Sequence, residues 1–165
     1  MGASPFAAAD YEARLGDVLL KLKDSDIKEL TYTSSPKAVD FDMWVAMVCI
    51  NLESRHSQLV SWWDAVYAAA TASYEKYLAL SPLQRSDVRP TIVHFTPTQQ
   101  LVERHMRRYV LASMPQHVRH TLMHMAGVSC ADVLFQAMVD AGPGTEADRS
   151  NTLKSVGDKG QAVPT

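Results

Sequence analysis

The 165-residue chain is 47% hydrophobic and 21% charged with a formal net charge of −2, a balance that excludes a disordered or fibrous protein and allows one real core. So small a charge excludes a surface that is a polyanion platform throughout, leaving only local patches for nucleic acid. Cys49 and Cys130, its two cysteines, exclude a disulfide framework or a CxxC pair; with no leader-like start and no run of about 18 apolar residues, a soluble, cytoplasmic protein without a membrane partner is expected.

Residues 1–9 read as a flexible tail. Asp10 then caps a helix to Lys23, in which Tyr11, Leu15, Val18, Leu19 and Leu22 recur at helical spacing. Residues 24–37 are polar and end near Pro36, with room for one helical turn around Asp26 to Leu30. Asp40 is expected to cap the next helix, whose Phe41, Trp44, Val45, Met47, Val48, Ile50 and Leu52 are apolar nearly all round. Such a helix should be central. A longer helix from Gln58 to Leu80 carries the stripe Trp63, Val66, Tyr67, Ala70, Tyr74, Tyr77 and Leu78.

Three prolines, Pro82, Pro90 and Pro97, fall in residues 81–97, and proline removes a backbone donor and interrupts helices. This segment reads as a linker between an N-terminal lobe, 10–80, and a C-terminal lobe, 98–156. Within it, 91–95 is the one strand candidate, equally an extended connection. Thr96-Pro97 starts a helix to about Ser113 with Val102, Met106, Tyr109 and Val110 on its apolar face. Pro115 opens the next, which Gly127 ends. Ser129 caps a helix bearing Cys130, Val133, Leu134, Ala137, Met138 and Ala141, and Thr145 with Asp148 caps a last one through Leu153 and Val156. Residues 157–165 form a second flexible tail. About seven helices and no convincing period of two make the fold class all-α.

His117, His120 and His124 fall within an arc of about 60° on a helical wheel. His120 and His124, at i and i+4, are placed to chelate an ion, but no Cys, Asp or Glu on this helix completes a ligand set. No metal or cofactor is therefore expected. The histidines read instead as part of a solvated basic face with Arg104, Arg107, Arg108 and Arg119, against the single acid Glu103. Such a face suits RNA phosphates or an acidic partner, with Arg104, Arg107, Arg108, Arg119, His120 and His124 as its contacts.

Nucleophile elbows, Walker loops, GxGxxG and HExxH are absent from the sequence. Cys49 reads as an inert core cysteine, and Glu75 and Glu103 as isolated acids on exposed helix faces. Neither an enzyme nor a small-molecule substrate is expected. Trp62 lies off the main stripe of its helix and is the aromatic nominated for an exposed or interface position.

The order of motifs adds a family likeness. Trp44 in an apolar helix is followed by Trp-Trp-Asp-Ala-Val from 62, Ser-Pro-Leu-Gln-Arg from 81, Val-Arg-Pro from 88, and Met-Pro-Gln-His-Val-Arg from 114. Then come Val-Leu-Phe-Gln-Ala from 133 and Gly-Pro-Gly-Thr-Glu-Ala-Asp-Arg-Ser-Asn-Thr-Leu from 142. Over residues 40 to 156 this series resembles the Gag capsid region of copia-type LTR retrotransposons. Met114-Pro115 stands where the family has Leu-Pro, Pro143-Gly144-Thr145 where it has Pro-Gly-Gly, Asp148-Arg149 where it has Glu-Arg, and Thr152-Leu153 where it has Leu-Leu. The CCHC zinc knuckle that commonly follows cannot be built from two cysteines, which weakens RNA binding more than the capsid-like fold. The resemblance implies a helical, often two-lobed structural protein whose first partner is another copy of itself and whose second is RNA. Trp62 and Arg149 are the residues nominated for self-association, and a helical nucleic-acid-binding or protein-interaction module using the 104–124 face is the alternative.

Overall fold

The computed structural model describes residues 14–33, 35–90 and 93–142, which contain six α-helices and no strand. The helices are α1 (described over 14–21), α2 (Lys37–Glu53), α3 (Ser57–Ala79), α4 (Pro97–Ala112), α5 (Gln116–Met123) and α6 (Cys130–Ala141). The predicted helix from Thr145 through Val156, the residue Arg149 and both predicted tails lie outside the described residues.

Local signals set most of the boundaries. Thr96 accepts from the Gln99 N–H while the Gln99 side chain accepts from the Thr96 N–H, a closed capping box with Pro97 at the first helical position. Ser129 and Asp132 make the same box at the start of α6. Gly142 closes α6 at φ 69°, a left-handed conformation that glycine adopts without steric cost. At the start of α3, His56 Nδ1 accepts from the Gln58 N–H at 3.1 Å.

Two local expectations shift. Asp40 does not cap α2, which begins at Lys37 after Pro36; its carboxylate instead accepts from the Thr33 N–H at 2.9 Å. The turn expected around Asp26 to Leu30 sits earlier, at Asp24–Asp26, held by Arg55 at 3.2 Å and by Asn51 donating to the Asp26 carbonyl at 3.0 Å. Ile27 and Leu30 are thereby left free of helix and buried, and the Leu30 N–H donates to the Ser113 carbonyl at 2.7 Å.

The core is one continuous cluster from Leu15 to Ala141. α3 lies at its centre, packing on α2, α4 and, most extensively, α6. Its buried face holds Leu59, Trp62, Trp63, Val66, Ala70 and Tyr74. Two adjacent positions, about 100° apart, are buried because neighbours cover α3 from more than one side. Trp62, predicted to be exposed, is therefore fully buried at 0%. Trp63 stands 5.9 Å from Trp62 and, edge to face, 5.9 Å from Trp44, whose indole N–H donates to the Lys28 carbonyl at 2.7 Å.

Helices from both sides of residues 81–97 share this core, since α6 packs on α2 and α3. The described residues thus pack as one unit, and the Pro-containing segment is a connection within it. Arg85 folds back at its start, donating to the Leu80 carbonyl at 3.0 Å and lying over the Tyr77 ring at 4.9 Å. A cation there suits the negative end of α3. No helix among the described residues is long and apolar enough to cross a membrane.

Candidate interaction surfaces

α2 buries Ala38, Phe41, Trp44, Val48 and Leu52 against the core. Its other side is also apolar. Val39 (45% exposed), Met43 (62%), Met47 (56%) and Ile50 (60%) recur at i, i+4, i+8 and i+11, with exposed Ala46 between them. The helix expected to be central is thus covered on one side only, and its uncovered side is a ridge about three turns long. Single exposed apolar residues are ordinary; a continuous row is not.

Shallow hollows flank the ridge. One, of about 180 Å³, is lined by Leu30, Met43, Trp44, Met47 and Val48 with Glu29 and Asp40 on its rim. The other holds Val45, Cys49, Trp63 and Tyr67 beside Asp42 and Asp64. Cys49, expected in the core, is only partly buried there. Burial, then the charges of Asp64 and Glu53, raise its thiol above the ordinary value. The ridge is thus oily, and its margins carry more acids than bases, Lys28 standing beside Glu29.

The six nominated contact residues lie on two helices, Arg104, Arg107 and Arg108 on α4, and Arg119 and His120 on α5 with His124 at its C-cap. Arg104, Arg107 and Arg108 are exposed on α4 within about 100° of arc. Arg108 donates to the Tyr109 hydroxyl at 2.7 Å and lies over that ring at 4.7 Å. Arg107 lines a cavity at the start of α6. On α5, His117 Nε2 lies 2.8 Å from Asp140 near the end of α6, about 15 Å along that helix from Cys130. Asp140 also accepts from the Tyr32 hydroxyl at 2.6 Å and has Lys37 at 3.8 Å. His120 and His124 stack edge to face at 5.1 Å, exposed, while Arg119 is partly buried. Among the described residues no three His, Cys, Asp or Glu side chains gather as a metal site.

The cavity at the start of α6, about 750 Å³, is lined by Arg89, His94, Phe95, Glu103, Arg107 and Asp132, among others. Glu103, predicted on an exposed face, is only 5% exposed. It lies beside Val102 and Met106 on the face of α4 that α6 covers, and its Oε1 accepts from the Cys130 N–H at 3.3 Å. Among the described residues its Oε2 is buried with no hydrogen-bond partner. Asp132 accepts from the Ser129 N–H at 2.9 Å and pairs with Arg89 at 3.2 Å. Both carboxylates therefore serve the positive end of α6. Full burial, then Glu103, push the Cys130 thiol well above its ordinary value, so it stays protonated.

The outer ridge of α2 had one signal in the sequence, the all-round apolar pattern. Asp140 and Glu103 had none, because their partners come from distant parts of the chain. Compared with protein-family models, curated proteins and solved structures, the chain finds no match.

Proposed function

We propose that the chain is a structural, capsid-like protein that works by associating with copies of itself, the role its resemblance to Gag implies. One observation carries this reading: the uncovered ridge Val39, Met43, Met47 and Ile50 on α2. Apolar surface is worth about 25 cal/mol per Å² when removed from water, so a row of long side chains left outside the core favours a partner. Met suits such a face because its unbranched thioether adapts to the surface opposite. The flanking hollows add a ridge-and-groove relief of the kind helices use to interlock.

The test is a light-scattering series on the purified chain across a wide concentration range. Mass rising with concentration above the single-chain 18.3 kDa supports the reading. A strict single-chain mass at every concentration rejects it. RNA contact is a second reading, favoured by the exposed arginines of α4 alone. It requires RNA affinity that falls steeply with salt, about one unit of log slope for each phosphate neutralised, and that Arg107→Glu weakens.

A further inference from the structure

We infer that the contact between copies is heterologous: the α2 ridge of one molecule seats on the outer face of α4 of the next. This rests on the self-association reading and adds which surface meets which. The outer face of α4 carries Leu101, Arg104, Arg108 and Ala112, all exposed, at i, i+3, i+7 and i+11. The α2 ridge includes Val39, Met43, Ala46 and Ile50 at i, i+4, i+7 and i+11. Both rows span eleven residues in three steps, about 3.7 residues per step, so each stays on one face of its helix for about three turns.

Charge selects the pairing. The α2 ridge is bordered by Asp42 and Glu53 on one margin, with Asp64 beside them, and on the other by Asp40 and Glu29 with one base, Lys28, among them. Two such ridges facing each other would oppose acid to acid. The α4 face carries Arg104 and Arg108 with one acid, Asp24, near Arg108, and Arg104 can lay its aliphatic stem along Met43 or Met47 while its guanidinium reaches a carboxylate at the margin. Like charges disfavour the symmetric dimer, and opposite charges favour the mixed contact.

α2 and α4 each pack on α3, so one chain offers both surfaces at once. A heterologous contact leaves an unused α2 ridge at one end of any pair and an unused α4 face at the other. Assembly then propagates into rings or open arrays, as a shell requires.

The test uses two variants of the full chain. Met43→Asp/Met47→Asp removes the ridge, and Leu101→Asp/Arg104→Glu removes its receptor. All four side chains are exposed, and cooperative circular-dichroism melts check folding. Ile50→Lys and Arg108→Glu stand in for either variant that does not melt cooperatively. Each variant alone should remain at single-chain mass by light scattering, where the parent chain grows. Mixed in equal amounts, the two should form a species of two chains that grows no further, because each supplies the surface the other lacks.

If the mixture stays at single-chain mass, the inference is overturned. It is equally overturned if the α4 variant assembles like the parent while the α2 variant does not, an outcome that assigns a symmetric α2 contact and leaves self-association standing. An α4 variant that assembles normally but loses binding to a single-stranded RNA oligonucleotide gives that face to RNA and overturns it too. A parent chain that never associates fails the underlying reading itself.

Discussion

At the residue scale, burial separates side chains that hold the fold from those that can meet a partner. Trp62 is fully enclosed, so Trp62→Ala should cost about 3–5 kcal/mol in urea denaturation, the range for truncating a buried Trp. It should leave the mass of the folded fraction unchanged. The two thiols differ in the same way. Cys49 at the margin of α2 should react with a thiol reagent before unfolding, and Cys130 only with it. Stability should also fall in alkali. The Cys130 thiol is raised by burial and the Tyr32 phenol by burial and its bond to Asp140. The folded state thus keeps both protons after the unfolded chain has begun to lose them. Their contribution is complete below the ordinary thiol value near 8.5 and declines as pH rises, Cys130 first, at up to about 1.4 kcal/mol per pH unit, then Tyr32 above about 10. Urea titrations at pH 7, 9 and 10 measure the slope, and Cys130→Ala should flatten its first part.

At the scale of the element, capping decides where helices begin. Thr96→Ala and Ser129→Ala should each lower stability by about 1 kcal/mol in urea denaturation. The Ser129 effect should be the larger, because Asp132 loses the hydroxyl it accepts from and the Arg89 pair is disturbed with it. These ends were legible in the sequence because a cap and its partner lie within four residues. Asp40 shows where that reading stops. It has the right chemistry for a cap, but Thr33 takes its carboxylate and α2 starts earlier. Trp62 and Glu103 mark the same limit: which side of a helix is covered depends on neighbours that spacing alone does not name.

At the scale of the whole molecule, the all-α class was legible from period and composition, and the single core was not. Prolines in residues 81–97 report only that the backbone leaves the helix. They are silent on whether the helices before and after pack together, and α6 against α2 and α3 shows that they do. The candidate surface was half legible. An all-round apolar helix fits either deep burial or one covered and one uncovered face, and only the packing of α3 and α6 on a single side of α2 distinguishes them. The central claim is that the uncovered face is where copies meet, and sedimentation velocity of the parent chain beside Met43→Asp/Met47→Asp tests it most directly. The parent should shift to faster species as concentration rises, while the variant, with an unchanged melting temperature, should sediment as a single chain throughout. A parent that stays a single chain, or a variant that assembles as readily as the parent, would contradict it.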